Sequence, residues 1–459
     1  MRGRWQCERS LWLEQPIAQA WIDLLSRGRQ ASSQEEKEGA RMAEDPIHFP
    51  EHGVPRDTVM EELAALQAGD ADWRRGRVPL YVFSGPADVQ EIGRAAFNAF
   101  FTENALGARR AFPSLARMER EVIGMGLDLF HAPDGAAGNM TSGGTESILM
   151  AVKACRDWNR AQRQDPHFRG SILAPETAHP AFEKAAALMD LRVHRVPVRA
   201  DYRADIGAME AAIDADTMML VGSAPCFPFG VVDDLESLSA VALRHGIWLH
   251  SDACVGGWMA PFAADIGRDV PRFDLGLPGV MSLSADLHKF GFCPKPASAV
   301  FYATAERHAA QEMRFDVWPS GVFGTNTMVG TRAGGGVAAA WAVLRFLGRD
   351  GYRRIAAEVL AMRDAYIEGL CAIPGMTIRG TPELAIIAFG CDDIDMGQVA
   401  QLMSDRGWVP GMVRTPSSLH MMMSLHHDAS RPAYVADVAA CVAAVRARSN
   451  VISMKASYA

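Results

Sequence analysis

Apolar residues recur at helical spacing in three stretches near the start of the chain. Thr58 to Leu63, Gln90 to Phe101 and Ser114 to Leu129 each place apolar side chains three or four positions apart, which predicts amphipathic helices. From about residue 139 to 303 the pattern changes, and apolar runs of strand length alternate with helical stretches, as in a doubly wound parallel sheet. The clearest unit starts with the apolar run Thr217 to Ser223. Asp233 then caps a helix that runs through His245, Gly246 stops it, and a second apolar run, Ile247 to His250, ends the unit at Asp252. Beyond Asn326 the glycine-rich turn Arg332-Ala333-Gly334-Gly335-Gly336 precedes a helical stretch from Val337 to Leu370. Strands follow near Met376 to Arg379 and Ala385 to Phe389, and a last helix near 433 to 447. There is no internal repeat.

This pattern divides the chain into four parts. Residues 1–45 form an N-terminal extension, either an arm or a mis-called start with translation beginning at Met42; 46–115 form an N-terminal arm and helices; 116–335 form a large domain; 336–459 form a small C-terminal αβ domain. A length of 459 residues with 49% hydrophobic and 22% charged composition is enough for two cores. The formal charge of -8 gives no basic footprint for nucleic acid. No apolar run approaches the roughly 20 residues that span a bilayer, and no signal-peptide core opens the chain. The eight cysteines are scattered without metal-ligand spacing, which points to a reduced, cytoplasmic setting with no metal site.

Three segments carry chemistry. Asn139 to Ser147 reads Asn-Met-Thr-Ser-Gly-Gly-Thr-Glu-Ser and runs into a helix with Ile148, Val152 and Cys155 on one face. A Gly-Gly-Thr turn at a helix start suits phosphate through close backbone approach, free N–H groups and a hydroxyl, and equally makes a tight turn with a cap. Asp252 ends an apolar strand, where ligands of open α/β sheets collect; it serves either as a helix cap or as the acidic partner of a pyridine nitrogen. Ser284-Ala285-Asp286-Leu287-His288-Lys289 follows the apolar strand Val280 to Leu283, and a lysine desolvated there can act as an amine nucleophile toward an aldehyde.

In order along the chain, five segments resemble the sphingosine-1-phosphate lyase branch of the group II pyridoxal-dependent decarboxylase superfamily. They are Thr141 to Ser147, His179, Ser223-Ala224-Pro225 with Gly230 to Asp233, His250 to Gly257, and Ser282 to Gly291. The resemblance implies an α/β chain of the aspartate-aminotransferase fold (fold type I), with a central, mainly parallel sheet and a smaller C-terminal αβ domain. It also implies pyridoxal 5′-phosphate as cofactor. Lys289 would hold it as a Schiff base, Asp252 would pair with its ring nitrogen, His179 would stack on the ring, and Gly144, Thr145 and His288 would hold its phosphate. The family builds its sites across a homodimer, so the resemblance brings Gly321 and Thr325 of the glycine-rich loop Trp318 to Asn326 to the neighbouring subunit's site. The implied reaction is retro-aldol cleavage of a phosphorylated sphingoid base, with Lys289 or His288 taking the β-hydroxyl proton. The alternatives are amino-acid decarboxylation and an inactive dimer that kept the fold.

The substrate side departs from the family pattern. Where these lyases carry Lys-x-Ser-Gly-x-x-Tyr, the chain reads Arg77-Val78-Pro79-Leu80-Tyr81-Val82-Phe83, with Phe83 at the tyrosine position and Tyr81 two residues away. The family's Asn-Pro-Leu-His element reads Asn104-Ala105-Leu106-Gly107. Arg109 and Arg110 follow it; they either supply an anion site or are solvated loop arginines. Phe229 stands where many relatives have histidine, which makes a more apolar pocket. Asn104, Tyr81, Arg109 and Arg110 are the candidate substrate contacts.

Overall fold

The computed structural model describes residues 47–447 and 453–457, so the extension read over residues 1–45 lies outside the described residues. The chain divides at Asp70 into two compact units. In the first, helix α1 (Arg56–Gln67) has no buried residue, and Leu63 and Leu66 are exposed.

The second unit is built on a seven-stranded sheet. Its strands are β1 (Ala137–Thr141), β2 (Ser171–Pro175), β3 (Arg192–Val196), β4 (Thr217–Ser223), β5 (Trp248–Asp252), β6 (Val280–Ala285) and β7 (Ser298–Tyr302), in the order β1-β7-β6-β5-β4-β2-β3. Strands β3, β2, β4, β5 and β6 pair in parallel, and β7 turns back antiparallel between β6 and β1. Every residue of β2, β4, β5 and β7 is buried. Strands covered on both faces read as continuous apolar runs, which is why these were legible in the pattern. The mainly parallel sheet therefore matches the expected fold class.

Helices cross between the strands. Among them are α2 (Ala87–Ala99), α3 (Pro113–Leu129), α4 (Gly144–Arg163), α5 (Ala181–Met189) and α6 (Leu235–His245). The α6 start corrects the sequence reading. Asp234, not Asp233, caps it, accepting from the Ser237 N–H at 2.9 Å. Asp233 is fully buried and instead accepts from the N–H groups of Ala204 (2.7 Å) and Ser223 (2.8 Å), stapling the exit of β4 to a neighbouring loop. Gly246 ends α6 in the left-handed conformation at φ 65° that glycine adopts without strain.

A short hairpin of β8 (Met313–Phe315) and β9 (Phe323–Thr325) precedes α7 (Gly334–Cys371). The expected single helical stretch is two helices meeting at Gly348, whose φ 54° and ψ -174° are non-helical. The C-terminal part is a four-stranded antiparallel sheet, β10 (Met376–Ile378), β11 (Ile386–Cys391), β12 (Gly411–Val413) and β13 (Ser418–Met422) in the order β10-β11-β13-β12, with α8 (Met396–Ser404) and α9 (Arg431–Ala447). This is the smaller αβ domain that the pattern predicts.

Candidate active site

The carboxyl ends of β5 and β6 lie side by side, with Asp252 in register with Ser284. Asp252 is 6% exposed. Its Oδ1 accepts from the Cys254 N–H at 3.2 Å and from the Ser284 hydroxyl at 3.3 Å. Behind it, His250 lies between two hydroxyls, Nδ1 at 2.8 Å from Ser282 and Nε2 at 3.2 Å from Ser284. Burial pushes His250 down to about 4, so it is neutral near pH 7 and leaves the strand-end charge to Asp252.

After β6 the chain makes a tight loop that presents three polar side chains in succession. The Lys289 N–H donates to the Asp286 carbonyl at 3.2 Å, the Phe292 N–H to the Lys289 carbonyl at 2.9 Å, and the His288 N–H to the Ala297 carbonyl at 2.9 Å. Nδ1 of His288 accepts from the Ala297 N–H at 3.3 Å, and Nε2 lies 3.7 Å from Asp286. Nζ of Lys289 lies 3.0 Å from Asp286 Oδ2. From the loop after β2, His179 offers Nδ1 to the Ala181 N–H at 3.1 Å. Burial lowers the proton affinity of both His179 and His288, against the pull of the nearby aspartates.

The glycine turn faces these groups. A Cβ on Gly144 would stand 2.8 Å from Asp286 Oδ2 and from Cys254 Sγ, so a larger residue there would fill the space where another group can approach. Thr145 and Glu146 follow in the first turn of α4, a 20-residue helix whose leading N–H groups favour an anion. Glu146 is buried; Oε2 accepts from the Ser142 N–H at 2.7 Å and hydroxyl at 2.5 Å, and Oε1 from the Met328 N–H at 2.8 Å. The turn is thereby tied to the loop after β9.

A cavity of about 320 Å³ joins these parts. Gly144, Thr145, Glu146, His179, Asp252, Cys254, Asp286, His288 and Lys289 line it, with Ser223, Pro225 and Phe227. It brings together a mostly buried amine, a strand-end carboxylate, an imidazole and a glycine turn at a helix start. That set fits a phosphorylated pyridine aldehyde: Lys289 for the aldehyde, Asp252 for the ring nitrogen, and Gly144, Thr145 and His288 for the phosphate.

The remaining predicted residues do not line this cavity. Asn104 caps a short turn, accepting from the Leu106 N–H at 3.0 Å, and donates to Thr331 at 3.2 Å. Arg109 and Arg110 are exposed. Tyr81 is 44% exposed, and its carbonyl accepts from Lys295 Nζ at 3.3 Å. Gly321 is exposed in the hairpin loop, and Thr325 ends β9 with its hydroxyl 2.8 Å from Thr327. Three polar residues escape a reading of the sequence alone: Asp286, Glu146 and Lys295. The first two stand inside the chemistry-bearing segments. Lys295 is marked in the sequence as a cation six residues past Lys289, and burial together with Lys289 lowers its proton affinity. It also lines a second cavity of about 350 Å³, walled by Trp73, Phe83, Phe97, Phe292 and Pro294 and also lined by Arg94.

Comparison with known proteins agrees with this geometry. The model of the pyridoxal-dependent decarboxylase conserved domain matches residues 102–390. A sphingosine-1-phosphate lyase of Oryza sativa subsp. japonica is 35% identical over 403 residues, covering 86% of this chain and 74% of the relative. A probable L-aspartate decarboxylase of Pyrococcus furiosus is 32% identical over 362 residues, covering 79% of this chain and 94% of the relative. Among solved structures, a sphingosine-1-phosphate lyase of Burkholderia pseudomallei superposes with a TM-score of 0.84 at 35% identity, covering 89% of this chain and 95% of that one. The matched stretch runs from before the glycine turn to β11 and takes in the whole cavity, and the chain belongs to the pyridoxal-dependent decarboxylase family of pyridoxal phosphate enzymes.

Proposed function

We propose that this protein is a carbon–carbon lyase that cleaves a phosphorylated sphingoid base, or a similar long-chain amino alcohol phosphate, to a long-chain aldehyde and phosphoethanolamine. The observation that carries this reading is the 35% identity to sphingosine-1-phosphate lyases over most of both chains. Bound pyridoxal phosphate supplies an electron sink for the bond that breaks next to the substrate amine.

The chain's own groups do the rest. Lys289 holds the cofactor and is displaced by the substrate amine. Asp252 keeps the ring nitrogen protonated, since a carboxylate beside it raises that affinity. His179 covers the ring, and Gly144, Thr145 and His288 fix the phosphate. Lys289 or His288 takes the proton from the β-hydroxyl as the aldehyde departs. Lys295 is a candidate for the substrate phosphate, and the aromatic walls around Phe83 and Phe292 suit part of a hydrocarbon chain.

The working form in this reading is a homodimer, with Gly321 and Thr325 completing the neighbour's phosphate site. Its support is the apolar surface on the segment that would cross: Val317 is 76% exposed, and Trp318, Val322 and Met328 are exposed with it. A cytoplasmic setting agrees with seven free cysteines among the described residues. No helix of the described residues is long and apolar enough to cross a membrane.

Decarboxylation of an amino acid is the second reading, favoured by the match to the Pyrococcus aspartate decarboxylase. Product analysis by mass spectrometry separates the two. Phosphoethanolamine and a long-chain aldehyde from sphingosine-1-phosphate, absent with Lys289→Ala, establish the lyase. Carbon dioxide and an amine from one of a panel of amino acids replace it with the decarboxylase.

A further inference from the structure

The roles assigned so far leave one buried carboxylate at the reacting amine without a task. Asp286 is 2% exposed, with Oδ2 at 3.0 Å from Lys289 Nζ. Its Oδ1 accepts the Ser298 hydroxyl at 2.5 Å; Ser298 Oγ is 2.9 Å from Ser147 Oγ, which is 2.6 Å from Thr141 Oγ1. Three buried hydroxyls therefore back one buried charge, and hydrogen bonds to the charged form keep a carboxylate ionised. Burial works to raise the Asp286 proton affinity, but Lys289, His288 and Ser298 together hold it below the usual range. Lys289 is affected in the opposite sense: burial works to lower it, and Asp286, with smaller help from Cys254 and Asp252, holds it above the ordinary lysine value.

Other charged or titratable groups face the amine. Asp252 and Cys254 come from the end of β5, His179 from the loop before α5, Glu146 from the start of α4, and His288 and Lys295 from the lysine's own loop. Among the described residues, Asp286 is the carboxylate at ion-pair distance.

We propose that Asp286 holds Lys289 as its ammonium ion while the amine is unengaged, and accepts that proton when the lysine turns to an aldehyde. One proton moves from Nζ to Oδ2 across 3.0 Å, and no other bond changes. The products are a neutral amine, the form whose lone pair attacks a carbonyl carbon, and a neutral carboxyl. The second product matters as much as the first. Asp286 borders the glycine turn, 2.8 Å from where a Gly144 Cβ would stand. As a carboxylate it repels a phosphate in that turn, and as a carboxylic acid it donates a hydrogen bond to one. Loading the site and freeing the amine are coupled through one side chain, whichever substrate the enzyme takes.

The test follows the association of pyridoxal 5′-phosphate with full-length, cofactor-stripped protein, read as the rise of visible absorbance across a pH series. Asp286→Asn removes the counter-charge and moves the midpoint of the rate profile down by about one pH unit or more. Asp286→Glu keeps the charge and returns the midpoint toward the wild-type value. Ser298→Ala removes the hydroxyl that shares the carboxylate's charge, so Lys289 is held more tightly and the midpoint moves up. An unchanged midpoint in Asp286→Asn overturns the proposal, as does a downward or absent shift in Ser298→Ala. If Asp286→Asn fails to fold by circular dichroism, the sign of the Ser298→Ala shift decides alone. Failure here leaves the lyase reading intact, since product analysis does not depend on this proton.

Discussion

The two sheets of the second unit have opposite interiors. Around β5, β6 and β7 the buried residues include Ser251, Ser282, Ser284, Ser298, His250, Asp252 and Asp286. Around β11 and β13 they are Leu384 to Phe389, Leu419 and Met421 to Met423, broken by His420. A core made only of packing needs no buried hydroxyls, and each buried polar group costs free energy unless it is bonded. The large sheet carries that cost where it holds the amine, the acid and the anion turn in place. In the small domain the polar intrusions act as fasteners: the buried Arg363 donates to the carbonyls of Pro382, Glu383 and Leu384 at 2.9, 2.7 and 3.2 Å, and His420 Nε2 lies 2.8 Å from the Phe227 carbonyl. Phe227 lines the cavity, so that last contact is where the apolar sheet reaches the polar one.

The contrast predicts that substitutions in the two interiors fail differently. The largest effect is expected at Lys289. Lys289→Ala should abolish the cofactor's visible band and lower turnover by on the order of 10³ or more, with thermal stability little changed, as measured by absorbance, product formation and calorimetry. An active Lys289→Ala protein would break the comparison at its strongest point.

Phe389→Ala should do the reverse. Its side chain is fully buried in β11, and truncation should cost about 3–5 kcal/mol, read by urea denaturation, while turnover per folded molecule stays near wild type. A loss of turnover without loss of stability would mean that the small sheet works in the chemistry.

Glu146→Gln should fall between the two. It removes the charge that ties Ser142 to the Met328 and Val329 amides, and cofactor affinity should weaken by about tenfold, roughly the 1.4 kcal/mol expected for charge-assisted bonds made neutral, as measured by equilibrium dialysis.

The smallest and most general effect is on pH dependence. His250 in the large sheet and His420 in the small one are both pushed down to about 4 by burial. In the unfolded chain each titrates near 6.5, so below that pH the unfolded state binds protons that the native state refuses. Stability is therefore full above about pH 6.5 and falls as pH drops toward 4, each histidine removing up to about 1.4 kcal/mol for every pH unit crossed. Thermal melts from pH 7.5 to 4.5 should show this slope, and His420→Gln should flatten part of it without moving the cofactor band.

Much of the site was legible because its residues sit at strand ends in a parallel sheet, where an apolar run stops and a polar residue begins. Asp252 and Lys289 are marked that way, and the Gly-Gly-Thr turn by the helix that follows it. Asp233 reads as a cap because two aspartates precede the helix, and sequence spacing does not say which one turns inward. Asn104 showed family resemblance, but its bonds to Leu106 and Thr331 depend on a segment more than 200 residues away.

The sequence by itself determined the order of elements, the buried strands and the identity of the reactive lysine, since these follow from local periodicity and from residues adjacent in the chain. Only the tertiary structure decided what surrounds that lysine. Asp286, Ser298, Ser147 and Thr141 come from β6, β7, α4 and β1 or their ends, and they form one hydrogen-bonded line only because the antiparallel β7 is inserted between β6 and β1. A buried charge acquires its partners from such pairings, and no pattern along the chain records them.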